Sequence, residues 1–116
     1  MITRIGSSQI LTPLNGVPAF LGVIVATTTK NNNDTAAPFN NTGEALKGKV
    51  ILLSPDTACW INFGATSAVT ASTTPTAGSI FVNARERISV IMSETVGWVA
   101  CVAVTGTTNL QIWELT

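Results

Sequence analysis

At 116 residues, the chain is long enough for one domain with a single hydrophobic core. Its six basic and six acidic residues cancel, which argues against a nucleic-acid partner, and the sequence has no apolar run of about 18 residues that could span a membrane. Only 10% of the residues are charged, against roughly 25% in an average domain. We infer that part of the surface is normally covered by a partner or by other copies of the chain.

The first half of the chain is irregular. Residues 1–16 mix isolated apolar residues with Gly, Ser and Pro, which predicts an N-terminal arm that pairs only briefly, at Ile2–Ile5. The domain proper is predicted over residues 17–116, beginning with a β-rich segment over 17–29. Residues 30–48 are rich in Asn, Pro and Gly and predict a long loop, which we expect Phe39 to anchor.

The second half is dense in strand patterns separated by turn signals. In chain order these are KVILLS, ACWINFG, SIFVNA, ERISVIM, VGWVACVAVT and TNLQIWEL, with the Thr/Ala-rich stretch ATSAVTASTTPTAG as a hairpin or second loop. KVILLS is a continuous apolar run, typical of a strand that is buried on both faces. Together the patterns predict an all-β, single-domain antiparallel β-sandwich or jelly roll of about seven to eight short strands.

The segment ACWINFG has two possible interpretations, a reactive Cys59 thiol or one strand of a packed sheet. Alternation places Cys59, Ile61 and Phe63 on one face, suited to the core, and Trp60 and Asn62 on the other. A disulfide between Cys59 and Cys101 remains an alternative, but two buried free thiols are favoured because the chain can build a core without a bridge.

The residue types needed for catalysis are scarce. The chain contains no histidine and no tyrosine, which removes the usual general base and the partner of a nucleophilic Ser or Cys. We therefore expect no enzymatic activity, no catalytic residues, no metal site and no cofactor. The string from Gly43 to Lys49 has the G-x-x-x-x-G-K spacing of a phosphate-binding loop, but Val50 follows where Ser or Thr is required, and a strand follows where a helix is required.

Two groups of side chains suggest binding instead. Arg85 and Arg87 are predicted on one face of a strand, where they either pair with an acidic patch of a partner or form a solvated edge that discourages aggregation. Trp60, Trp98 and Trp113 are predicted in mid-strand, where large aromatic residues are more often core or interface anchors than sugar-stacking platforms.

Residues 48–115 resemble small β-structured virion proteins of tailed bacteriophages. The resemblance rests on GKVILLSPDTACWINFG, on the Thr/Ala-rich stretch after it and on the closing GWVACVAVTGTTNLQIWEL. It implies a capsid decoration (cement) protein on the outer capsid surface of the virion, which binds the major capsid protein, stabilises the head and forms a homo-oligomer, a dimer or a trimer. Assembly in the host cytoplasm would keep both cysteines reduced.

This interpretation predicts that the arm and the long loop lie along capsid subunits, without nucleic acid or a membrane as partner. The alternative that the sequence leaves open is a β module of the phage tail or fibre, one that could bind carbohydrate. The candidate partner contacts are Ile2, Arg4, Ile5, Ile10, Leu11, Phe39, Trp60, Arg85 and Arg87.

Overall fold

The fold was analysed in a computed structural model that describes residues 3–7, 18–34, 46–74 and 78–115. These residues contain nine strands and no α-helix, so the predicted all-β class is confirmed. The strands are β1 (Thr3–Ser7), β2 (Ala19–Ala26), β3 (Lys30–Asn31), β4 (Val50–Pro55), β5 (Cys59–Gly64), β6 (Ile80–Val82), β7 (Ile88–Ile91), β8 (Trp98–Ala103) and β9 (Thr108–Glu114).

The strands form two antiparallel sheets that pack together. The five-stranded sheet has the order β1-β7-β4-β9-β2, and the four-stranded sheet has the order β3-β8-β5-β6. From β2 onward the first strand pairs with the last and the pairing continues inward: β2 with β9, β3 with β8, β4 with β7 and β5 with β6. This nested pairing over eight strands in two sheets is the jelly-roll arrangement.

Strand β1 adds a fifth strand to the outer edge of β7. Its register pairs Arg4 with Val90 and Gly6 with Ser89, with an irregularity between Arg4 and Gly6. The part of the N-terminal arm that was predicted to pair only briefly is therefore a strand of the sheet from Thr3 to Ser7.

Alternate residues of each strand point into the space between the sheets and form the core. In β5, Cys59 and Ile61 are fully buried, and Phe63 packs against them from a half-buried position, as the alternation predicted. In β7, Ile88 and Val90 are buried and Ile91 is exposed, but Ser89, on the same face as Ile91, is buried as well. The core cluster consists of Ile24, Ala26, Leu46, Ile51, Leu53, Cys59, Ile61, Val82, Ile88, Val90, Met92, Val99, Cys101, Leu110 and Ile112.

Strand β4 differs from its prediction. It was predicted to be buried on both faces, but only Ile51, Leu53 and Pro55 are buried, while Val50, Leu52 and Ser54 are half-buried on the outer side. Its neighbours β7 and β9 bury the edges of β4, yet its outer side chains are only partly covered. The apolar run therefore reflects the central position of β4 in the sheet. The outer face of β4 carries apolar side chains that are only partly covered.

The segment over residues 30–48, which was predicted to be a loop, begins with a short strand. Lys30 and Asn31 pair with β8 as β3, and the side chain of the buried Asn32 continues this pairing. Asn32 Oδ1 accepts a hydrogen bond from Val99 N at 2.9 Å, and Asn32 Nδ2 donates to Gly97 O at 3.2 Å. These bonds hold the beginning of the segment, and the expected anchoring by Phe39 stays a prediction. Phe39 itself lies outside the described residues.

Candidate functional site: two outer sheet faces

The predicted partner contacts do not form one surface. Trp60 lies on the outer face of the four-stranded sheet, whereas Arg85 and Arg87 lie beside the outer face of the five-stranded sheet. Arg4 and Ile5 belong to β1 at an edge of the five-stranded sheet. The remaining candidates lie outside the described residues: Ile2, Ile10, Leu11 and Phe39.

Trp60 is the centre of an apolar patch on the four-stranded sheet. Its cross-strand neighbours are Phe81 on one side and Val102 on the other, and we call these three residues the Trp60 patch. The Trp60 and Phe81 rings meet edge to face, with centroids 5.4 Å apart and an interplanar angle of 65°. Phe81 is 43% exposed, and Trp60 and Val102 are half-buried.

No charged residue interrupts this patch, because β5, β6 and β8 contain none. Val104, which follows β8 two residues after Val102, adds a further exposed apolar side chain and is 44% exposed. A Trp and a Phe in contact, on a surface without charge, match the aromatic anchors found near the centres of protein interfaces.

The other end of the same sheet face is closed by the chain segment after β5. Asn31 Nδ2 donates to Ser67 O at 2.9 Å, and Asn62 Nδ2 donates to Thr70 O at 3.0 Å. Gly64 allows the segment to approach, because a Cβ atom there would lie 2.6 Å from Cβ of Val69. The Thr/Ala-rich stretch, predicted as a hairpin or loop, is thus a loop that covers part of the sheet and leaves the Trp60 patch open.

The outer face of the five-stranded sheet has a different character. Two adjoining depressions of about 500 and 270 Å³ lie on it, and both are lined by the cross-strand neighbours Ser54 and Gln111. Arg85 lines the larger depression and Arg87 the smaller one. A second aromatic pair, Phe20 and Trp113, lies here with ring centroids 4.9 Å apart and an interplanar angle of 64°.

The two arginines were predicted on one face of a strand, and that local structure is wrong. Both precede β7, which begins at Ile88, and Arg85 lies in a turn with a φ of 62°. The turn is closed by a hydrogen bond from Glu86 N to Asn83 O at 3.1 Å. Neither arginine forms an ion pair with a carboxylate among the residues that the structure describes.

The cysteines are free and buried in the core, as favoured from the sequence. Burial raises the pKa of the Cys59 thiol to about 12, and burial also raises the pKa of Cys101. Because only a thiolate is a strong nucleophile or metal ligand, neither side chain is suited to either role in the folded state.

Three charged side chains, those of Lys49, Glu114 and Asp56, form structural contacts. Lys49 Nζ lies 3.2 Å from Glu114 Oε1, so the lysine of the phosphate-loop-like string pairs with a carboxylate of β9. Asp56 accepts hydrogen bonds from the side chain and the backbone of Asn109, which lower the pKa of Asp56.

The described part of the chain lacks both a metal-binding cluster and a membrane-spanning helix. It holds no group of three or more His, Cys, Asp or Glu side chains arranged to bind a metal ion. Nor does it contain a helix long and apolar enough to cross a membrane.

Comparison with protein-family models, curated protein sequences and solved structures finds no match to this chain.

Sequence reasoning missed Phe81, Val102 and Phe20 as surface residues. Alternation along each strand indicated that Trp60 points outward, and the same rule applied to SIFVNA would have placed Phe81 opposite Val82. That Trp60 and Phe81 are neighbours follows only from the pairing of β5 with β6, which the local pattern does not specify.

Proposed function

We propose that this chain is a non-enzymatic structural protein of a phage virion, a capsid decoration protein that binds the major capsid protein through the Trp60 patch. The observation that carries the proposal is an aromatic, uncharged and partly exposed patch on the outer face of the four-stranded sheet. Exposing an apolar surface to water costs free energy, so covering the patch with a protein partner is favourable.

The low charge of the whole chain supports the same role. With 10% charged residues and no net charge, the protein gains little electrostatic repulsion between copies, which suits a subunit that is packed against neighbours. The resemblance of residues 48–115 to small virion proteins supplies the identity of the partner. In this role the chain lies on the outer capsid surface as a dimer or trimer, after assembly in the host cytoplasm.

The proposal is tested by adding the purified protein to cognate capsids that lack it. We expect the protein to co-sediment with the capsids at a fixed stoichiometry and to raise the temperature at which they release their contents. No co-sedimentation, or equal heat resistance with and without the protein, would contradict the proposal. Light scattering of the free protein tests self-association, for which we expect a dimer or trimer.

A matched pair of variants locates the contact. Phe81→Lys places a charge in the Trp60 patch, whereas Phe20→Lys places one in the other aromatic pair, at nearly the same exposure of 43% and 45%. Losing an aromatic anchor at an interface centre typically costs about 2 kcal/mol or more. We therefore expect Phe81→Lys to weaken capsid binding by at least tenfold and Phe20→Lys to change it little.

A further inference from the structure

The larger depression on the five-stranded sheet has the dimensions of a ligand site. Its volume of about 500 Å³ lies within the range of roughly 300–1,000 Å³ that is usual for small-molecule sites. We call it the Arg85 depression. The lining residues that matter here are Phe20, Ser54, Asp56, Arg85, Asn109 and Gln111.

Arg85 occupies a backbone position that does not favour it. It is the second central residue of the turn between β6 and β7, and among the described residues it is the one non-glycine residue with a positive φ, 62°. Glycine or asparagine is usual at such a position, because a Cβ atom is disfavoured there. The bond from Glu86 N to Asn83 O closes the turn, and Arg85 N ties it to β4 by donating to Pro55 O at 2.8 Å, so both bonds use backbone atoms and neither needs the arginine side chain.

A non-glycine residue held at a strained backbone position, with a side chain that the turn does not require, points to a function for that side chain. The guanidinium of Arg85 carries five N–H donors, and Arg85 is one of the residues that line the depression. A ligand that accepts hydrogen bonds would use these donors.

The groups around Arg85 both accept and donate. Asp56 Oδ1 accepts a hydrogen bond from Asn109 N and Asp56 Oδ2 from Asn109 Nδ2, each at 2.7 Å. These bonds fix the carboxylate and the amide and lower the pKa of Asp56, so the acceptor is ionised at neutral pH. Ser54 and Gln111 add a hydroxyl and a second amide at neighbouring positions on adjacent strands.

The charges near the depression cancel. Among its lining residues, the positive charge of Arg85 is balanced by the negative charge of Asp56. An anion therefore gains no net electrostatic attraction here. A neutral molecule with many hydroxyl groups fits better, because each hydroxyl both donates and accepts hydrogen bonds.

The aromatic pair supplies an apolar surface next to these polar groups. Phe20 lines the Arg85 depression and is 45% exposed, and Trp113, in contact with it, lines the smaller depression. A pyranose ring has an apolar C–H face and a rim of hydroxyl groups, so one ligand can use both surfaces. We propose that the Arg85 depression binds a neutral saccharide, with its hydroxyl groups on Arg85, Asp56 and Asn109 and its ring on Phe20. This proposal does not depend on the capsid role.

The experiment applies the full chain to a microarray of neutral, sialylated and sulfated glycans, with a hexaglutamate peptide as a separate probe. We expect binding to at least one neutral glycan. Titration of that glycan then compares three variants: Arg85→Gly, Phe20→Ala and the matched control Phe81→Ala. Phe20 and Phe81 have nearly equal exposure and each contacts a tryptophan edge to face, but only Phe20 lines the depression.

Arg85→Gly and Phe20→Ala should each weaken glycan binding by at least tenfold, and Phe81→Ala should leave it within twofold. Arg85→Gly should also raise the thermal midpoint, because glycine relieves the backbone strain, so its loss of binding cannot be ascribed to unfolding. The proposal is overturned if no neutral glycan binds, if only acidic glycans or hexaglutamate bind, or if Arg85→Gly binds as tightly as the unmodified chain.

Discussion

Replacement of Asn32 by Ala tests how the jelly roll holds its most polar segment. The side chain bonds Val99 N and Gly97 O, at 2.9 and 3.2 Å, and is 1% exposed. The substitution leaves one donor and one acceptor buried without partners, at a cost of about 1–3 kcal/mol each. The expected loss is therefore roughly 2–6 kcal/mol, a large part of the roughly 5–15 kcal/mol that stabilises a typical domain.

The assay is urea unfolding followed by tryptophan fluorescence, with Asn33→Ala as the control. Asn33 is the next residue along the chain and has the same side chain, but it is exposed, and of its groups only the backbone N–H forms a described hydrogen bond. We expect Asn33→Ala to remain within about 0.5 kcal/mol of the unmodified chain. Equal stability of the two variants would refute the assignment of Asn32 as the anchor of this segment.

Asn32→Asp refines the test, because it keeps an acceptor for Val99 N but removes the donor to Gly97 O. A carboxylate at this buried position is disfavoured, so the pKa of the new carboxyl is raised in the folded state. Its protonated form can donate to Gly97 O. We expect the deficit of this variant to shrink as the pH falls below the raised folded pKa, whereas the deficit of Asn32→Ala should not show this dependence.

Three further predictions concern the core, the sheet cover and the turn before β5. Cys59 and Cys101, whose pKa values are raised by burial, should resist a thiol reagent at pH 8 and react once urea unfolds the chain; rapid labelling of the native protein would refute their burial. Gly64→Ala should cost about 1–3 kcal/mol in urea unfolding, because its Cβ would clash with Val69, and a neutral result would mean that the covering segment moves freely. The pKa of Asp56 is lowered in the fold, so its stabilising contribution is present above the unfolded value of 3.8 and is lost as pH falls through the folded value. Asp56→Asn should therefore lose less stability on acidification than the unmodified chain, as measured by thermal unfolding from pH 6 to 2.

Local alternation was sufficient to predict the class of the fold. In β5 the side chains inside and outside the sandwich follow the period of two, because a strand with one buried face leaves the other at the surface; in β7, Ile88, Val90 and Ile91 follow it, whereas Ser89 is buried on the outer face. The free buried thiols were predicted on a different ground, that a chain of this length can build a core without a disulfide. The choice of jelly roll over other sandwiches did not, because the pairing of β2 with β9 joins segments about 85 residues apart and no local signal encodes it.

The polar segments were the least predictable. Lys30 and Asn31 have low strand propensity, and they form β3 only because β8 offers an edge and the side chain of Asn32 bonds to it. The positive φ at Arg85 could not be predicted from the sequence either, because glycine is the residue that usually indicates it. The predicted strand over this arginine pair was wrong for that reason, and the depression beside it could not be foreseen.

Oxidative footprinting of the protein bound to its capsid tests the central claim most directly. The described residues contain two aromatic pairs of similar geometry on opposite sheets, Trp60 with Phe81 and Trp113 with Phe20. We predict that oxidation of Trp60 and Phe81 falls strongly on capsid binding, while oxidation of Trp113 and Phe20 remains close to that of the free protein. Unchanged oxidation of Trp60 and Phe81 in the bound state would contradict the assignment of the Trp60 patch as the surface that meets the partner.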